Sequence, residues 1–258
     1  MRDRTLWIVG VAVVLFALAT GAGSRAQTTR PAAEITVLAA SSLTNVFPLI
    51  DSSPRYSFGG SDTLAGQIRL GAPADVFAAA NSAIPDKLYA QGLLEKPAVF
   101  TTNKLVLVTP GANPAGIATV FDLRRPGIKL IVGTPTVPIG SYTRTVLKNL
   151  ALTSVLTNVV SQETDVRSIL GKIALGEADA GFVYITDAAT VADKVNVIRL
   201  PAWAQPPIRY EIAVVKSTSK RQDAVAFINK VLAKAGQAKL RAAGFGAVKK
   251  GVSSYTGG

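Results

Sequence analysis

Hydrophobic positions along this chain follow one recurring pattern: a β-branched or apolar run ends in small residues, and apolar positions then return at three- and four-residue spacing. The run Glu-Ile-Thr-Val-Leu-Ala-Ala at 34–40 predicts a strand, Ser41-Ser42 a turn, and Leu43, Val46, Phe47 and Ile50 one face of a helix. The same grammar repeats at once. Residues 55–58 read as a strand, Gly59-Gly60 as a turn, and Ser61 as the N-cap of a helix carrying Leu64 and Ile68. A buried strand at 74–80, a helix near 82–91 and a strand at 105–108 follow, and Thr-Pro-Gly-Ala-Asn-Pro at 109–114 breaks the series.

A second series then begins, with a strand at 129–132, a loop at 133–138, a helix at 139–150, a strand near 159–160 and a helix at 164–175. Strands at 180–184 and 195–198 close it. Beyond Pro201, Pro206 and Pro207 the β-rich run 208–215 precedes two helices, roughly 220–232 and 235–243, with Gly244 and Gly246 suited to a helix end. Strands alternating with helices imply α/β architecture, with parallel sheets covered on both faces, and no short internal repeat points to a solenoid.

The N-terminus reads differently. Arg2 and Arg4 precede an apolar run of 14 residues, Leu6 to Ala19, and Gly21-Ala22-Gly23-Ser24-Arg25-Ala26 offers small residues where a signal peptidase cuts. Residues 1–26 are therefore expected to be a cleaved signal peptide, with a cut after Ala26, or after Ala22 as the alternative. A membrane anchor is the competing reading, although 14 residues fall short of the roughly 20 that span a bilayer. The chain has no Cys to accept a lipid, so export as a soluble protein to the periplasm or another extracytoplasmic space is expected, with the membrane met only through the signal or a permease.

Composition removes much chemistry. The 258 residues include no His and no Cys, which excludes the usual zinc sites, a Ser-His-Asp triad, a Cys nucleophile and a disulfide framework. Apolar residues make up 48% of the chain, enough for a sizeable core. Lys and Arg number 28 against 16 Asp and Glu; losing residues 1–26 would leave 25 and 15, a net charge of +10. Such a surface attracts anions, but the basic residues are scattered and no aromatic-interleaved stripe accompanies them, so nucleic acid is not an expected partner. A solvated basic face explains most of them.

Chemistry is best placed at the strand-to-helix turns, because in open α/β sheets ligands sit beyond the carboxyl ends of strands, where helix starts present free N–H groups. Ser42 and Ser61 each stand at such a turn, and neither turn carries Lys or Arg. Hydroxyls and amides without a counter-charge suit a fully ionised, desolvated oxyanion; the bland alternative makes both serines ordinary N-caps. Asp62 beside Ser61 is unfavourable for an anion unless it turns to solvent and complements the helix dipole. Nucleotide-binding loops of the G-x-x-x-x-G-K-[ST] or G-x-G-x-x-G type are absent, and Asp75, Glu163, Asp165 and Asp187 lie on different elements without a catalytic motif.

Six stretches, in order, carry a family resemblance: Ala39-Ala40-Ser41-Ser42-Leu43-Thr44, Phe58-Gly59-Gly60-Ser61-Asp62-Thr63-Leu64-Ala65, Gly71-Ala72-Pro73-Ala74-Asp75-Val76-Phe77, Val137-Pro138-Ile139-Gly140, Asp165-Val166-Arg167 and Gly181-Phe182-Val183-Tyr184. Over roughly residues 34–248 the chain resembles the periplasmic molybdate-binding proteins, the solute receptors of molybdate ABC transporters. The resemblance implies a two-lobed periplasmic binding protein fold of type II, each lobe a mainly parallel sheet flanked by helices, with a two-strand hinge. Lobe 1 would hold 34–104 plus 208–258, and lobe 2 would hold 105–207. It implies molybdate or tungstate held by Ser42 and Ser61 through hydroxyl and main-chain N–H, by Ile139 and Val166 through N–H alone, and by the Tyr184 phenol. Molybdenum would be bound only as its oxyanion, with no metal cation and no cofactor. The implied protein is no enzyme, and its partner is an ABC permease.

Donors alone reject hydrogen phosphate, whose proton would face another donor, and a cleft sized for molybdate holds sulfate loosely. A same-fold receptor for sulfate, thiosulfate or an organic anion is the nearer alternative. An exported Ser/Lys hydrolase is remote, since no S-x-x-K is present, and a basic envelope protein docking acidic polymer is a third class. Two-lobed receptors suit a monomer.

Overall fold

The computed structural model describes residues 34–248 and 254–257; the expected signal segment at 1–26 lies outside them. In order, β1 is Thr36–Ala40, α1 Phe47–Ile50, β2 Arg55–Gly59, α2 Ser61–Arg69, β3 Val76–Ala79, α3 Ala83–Ala90, β4 Ala98–Asn103 and β5 Leu105–Pro110. Then come β6 Leu130–Gly133, α4 Pro138–Asn149, β7 Val159–Glu163, α5 Val166–Ala174, β8 Ala180–Tyr184, α6 Ile185–Ala188, β9 Val195–Arg199, β10 Ile208–Val214, α7 Arg221–Leu232 and α8 Lys234–Ala242. Among these residues no helix is long and apolar enough to cross a membrane.

Two five-stranded sheets form, in the orders β2-β1-β3-β10-β4 and β7-β6-β8-β5-β9. The two orders are the same pattern used twice: three parallel strands, then a strand that runs the other way, then an edge. This is the two-lobed α/β fold of periplasmic binding proteins. Each sheet is mainly parallel, as expected, and β5 and β10 are the strands that run antiparallel within it. Each follows or precedes a chain crossing between the sheets instead of a βαβ crossover, which is what enforces parallel direction.

The central strands read as continuous apolar runs because both faces are covered: β3, β5, β6 and β8 are buried along their whole length. α4 and α5 show how a helix reads against such a sheet. Ile139, Val146 and Leu147 on α4, and Val166, Ile169, Leu170 and Ile173 on α5, recur at three- and four-residue spacing and are buried. Gly181 on β8 admits this packing, since a Cβ there would lie 2.8 Å from Ile169 Cγ2.

Three local expectations change. Residues 43–50 do not form one helix: Ser41–Leu43 is a 3-10 turn and Phe47–Ile50 is a separate short helix with Pro48 in its first turn, since a proline inside a longer helix would cost a hydrogen bond. β4 was not legible as a strand. Ser61 is the first residue of α2 and not its N-cap, which is Gly60 with extended backbone at φ −63°, ψ 133°.

Candidate functional site

The carboxyl ends of β1, β2, β3, β6, β7 and β8 and the starts of the segments that follow them converge on one small cleft. Its walls include Ser42, Gly60, Ser61, Ile139, Val166 and Tyr184, so the five residues singled out from the sequence stand around a single space. That space is about 200 Å³ counting its open mouth.

Each wall contributes a donor whose direction the surroundings set. Ser61 is buried, and its Oγ accepts the Ala80 N–H at 3.1 Å, which leaves its own proton to donate. Ser42 Oγ lies 2.9 Å from the Tyr210 hydroxyl. Ile139 and Val166 open α4 and α5 within the first turn, where backbone N–H groups have no intrahelical acceptor and the dipole favours negative charge. The Tyr184 hydroxyl is buried with no hydrogen-bond partner among the described residues. Burial, helped by neighbouring Tyr210, Tyr142 and Asp187, holds that phenol well above its ordinary pKa, so it remains a donor.

Charges near the cleft are tied back. Asp165 lines it, yet its carboxylate caps α5, accepting the N–H groups of Arg167 at 2.7 Å and Ser168 at 3.2 Å and the Ser168 hydroxyl at 2.8 Å. Arg167 Nε pairs with Asp187 Oδ1 at 2.7 Å, and its other nitrogens reach Thr190 and Asn45. Asp62 does not simply face solvent as expected: Oδ2 accepts the Thr136 hydroxyl at 2.6 Å and Oδ1 accepts the Thr63 N–H at 2.9 Å. Thr136 precedes α4, so this bond joins the two sheets' halves across the mouth. The second contact there is tighter still, because a Cβ on Gly60 would lie 2.1 Å from the Thr164 carbonyl oxygen.

A wall of neutral donors with its carboxylates turned away can desolvate and hold a small, fully ionised oxyanion. Among the described residues no group of three or more His, Cys, Asp or Glu could hold a metal ion. Sequence reasoning missed Tyr210 and Asn103 behind Ser42; Tyr210 is 168 residues away from the serine it touches, and nothing local signals the pair.

Residues 54–246, about three quarters of the chain, match the model of the bacterial extracellular solute-binding protein family. The chain belongs to this family. Its role is therefore that of a substrate-binding protein of ABC transporters and not of an enzyme. This solute-binding protein is 40% identical over 234 residues to the molybdate-binding protein ModA of Mycobacterium tuberculosis, covering 87% of this chain and 88% of that one. The periplasmic molybdate-binding protein of Azotobacter vinelandii superposes with a TM-score of 0.74 at 26% identity, over 84% of this chain and 100% of that one. The sulfate-binding protein SubI of M. tuberculosis shares the fold, with a TM-score of 0.72 at 20% identity over 84% of this chain and 87% of that one.

Proposed function

We propose that this solute-binding protein captures molybdate, and tungstate equally, in the cleft between its two lobes and delivers it to an ABC permease. The observation that carries the reading is the convergence of neutral donors, two serine hydroxyls, two helix-start amides and an unpartnered buried phenol, on a cleft of about 200 Å³. Ser42, Ser61, Ile139, Val166 and Tyr184 hold the anion in the roles given above. Helix starts contribute about 0.3–1 kcal/mol each, up to ~2 when partly buried, so several must act together. The 40% identity to ModA supports molybdate as the ligand.

In this reading residues 34–104 and 208–258 form lobe 1, residues 105–207 form lobe 2, and the hinge is where β4 passes to β5 and β9 passes to β10. Serines from lobe 1 and amides and phenol from lobe 2 close on the anion and expel water, and the permease reads the closed form. The protein works as a periplasmic or extracytoplasmic monomer after removal of residues 1–26.

Thermal unfolding of residues 27–258 with molybdate, tungstate, sulfate, phosphate and chloride in turn tests this. A ligand at 100 times its Kd adds about 2.7 kcal/mol of stability. Stabilisation by molybdate and tungstate alone is the expected result; stabilisation by sulfate instead identifies a sulfate receptor, and none with any anion removes the assignment.

A further inference from the structure

Behind Ser42 runs a chain of hydrogen bonds whose direction can be read from its far end. The Lys104 backbone N–H donates to Asn103 Oδ1 at 2.9 Å. A backbone N–H is only ever a donor, so it fixes which end of the Asn103 amide is oxygen. Asn103 Nδ2 then faces the other way and donates to Thr186 Oγ1 at 2.9 Å and to the Tyr210 hydroxyl oxygen at 3.3 Å. Tyr210 is wholly buried, packed edge-on against Phe100, Tyr184 and Phe245, and burial holds its phenol protonated.

That phenol proton needs an acceptor, since a buried donor left without one costs about 1–3 kcal/mol. Asn103 Nδ2 cannot accept and the Tyr184 hydroxyl makes no hydrogen bond among the described residues, whereas Ser42 Oγ stands at 2.9 Å and can accept. With one of its two lone pairs engaged by that proton, Ser42 has its own proton left to direct to the cleft. Ser61 reaches the same state by a shorter route, its oxygen taken by the Ala80 N–H.

We infer that Tyr210 and Asn103 are positioning residues that set selectivity, by fixing Ser42 as a donor so that an oxyanion still carrying a proton meets a proton instead of a free acceptor at Ser42. The inference rests on the oxyanion reading of the same site and explains how the donor-only wall is enforced. In Tyr210→Phe the ring packing survives while Ser42 becomes free to rotate and accept. In Asn103→Asp the replaced end faces Tyr210 as an acceptor, takes the phenol proton, and lets Ser42 present its lone pair to the cleft.

The probes are molybdate, fully deprotonated in neutral and alkaline solution, and arsenate at mildly alkaline pH, where it carries one proton and is closer to molybdate in size than phosphate is. Affinities of both anions are measured by calorimetry for wild type, Tyr210→Phe, Asn103→Asp and Ser42→Ala, with thermal unfolding to check that each variant folds. Tyr210→Phe is expected to lower the molybdate-to-arsenate preference by roughly tenfold or more, through weaker molybdate and stronger arsenate binding. Asn103→Asp is expected to lower it in the same direction. Ser42→Ala, which deletes the donor without creating an acceptor, weakens molybdate binding and leaves arsenate rejected. Equal weakening of both anions by Tyr210→Phe and Asn103→Asp, or an unchanged preference, would overturn the inference while leaving the receptor reading intact. A wild type that binds neither anion would overturn both.

Discussion

Adding one methyl group at Gly60 is predicted to stabilise the free protein and to damage binding, two effects of opposite sign. The backbone there is extended, with φ −63° and ψ 133°, a conformation alanine adopts without strain. Gly→Ala at a compatible site raises stability by about 0.4–1 kcal/mol, because the unfolded chain has fewer conformations to lose. In the structure described, which the proposed closure takes as the closed form, the new Cβ would however lie 2.1 Å from the Thr164 carbonyl oxygen. Relief to ordinary contact needs about 1 Å of separation, and backbone cannot yield as a flexible side chain does. A 1 Å opening moves Ile139 N–H, Val166 N–H and the Tyr184 hydroxyl beyond hydrogen-bond range of an anion seated on the two serines. Hydrogen bonds to a charged group contribute about 1.5–3 kcal/mol each. Losing even two of them weakens binding by about two orders of magnitude or more. Calorimetric titration with molybdate, paired with thermal unfolding of the ligand-free protein, measures both effects. Gly60→Ala with affinity within about threefold of wild type would refute closure at this contact, since a weakening that small leaves no room for two lost charged hydrogen bonds.

Three further outcomes are expected. Ser61→Ala strands the Ala80 N–H as well as removing a donor from the cleft, so it should cost about 1–3 kcal/mol of stability and ten- to a hundredfold in molybdate affinity, read by denaturant unfolding and titration; loss of neither would place the hydroxyl outside the site. Thr136→Val removes the bond to Asp62 across the mouth and should speed molybdate release about two- to tenfold, with capture little changed, in a stopped-flow displacement experiment; an unaltered release rate would show the bond does not hold the closed form. Asp187 is fully buried, and burial raises its carboxyl from 3.8 to about 7 against the opposing effect of Arg167. Between those values the folded protein holds a proton that the unfolded chain has lost. Stability from this group therefore falls as pH rises from about 4 to about 7 and is level above, a total of a few kcal/mol. Asp187→Asn should flatten that part of the thermal-unfolding profile, and superimposable profiles would contradict a carboxyl held protonated by burial.

The α/β class was legible because burial on both faces writes itself into the sequence as apolar runs, and α4 and α5 were legible from their three- and four-residue spacing. β4 was not: Ala-Val-Phe-Thr-Thr-Asn is only partly apolar, and it becomes a strand by pairing with β10, more than a hundred residues away. Ser61 was legible as a turn residue but not as the first residue of α2, because its oxygen is claimed by Ala80 and not by its own helix. Ser42 and Ser61 could be reached from local pattern, while Ile139, Val166 and Tyr184 came from resemblance, since an amide donor leaves no trace in side-chain identity. Tyr210 was invisible for the same reason as β4, because its partner is set by topology.

Among the described residues no Lys or Arg lines the cleft, which has a consequence for selection. A lysine or arginine against the anion would attract any negative ligand, protonated or not, through a force that falls slowly with distance. Neutral donors act only within hydrogen-bond range and in fixed directions, so the strength they supply depends on shape, on protonation state and on closure at once. The protein accordingly keeps Arg167 engaged with Asp187 and keeps Asp165 engaged with its own helix. The net positive surface can draw anions toward the mouth without deciding which one stays. In the proposed site, selection falls to groups whose geometry is set behind the cleft, by Ala80 for Ser61 and by Tyr210 for Ser42. On that proposal, deleting a donor lowers molybdate affinity without admitting a protonated anion, whereas freeing its lone pair lowers molybdate affinity and relaxes discrimination as well.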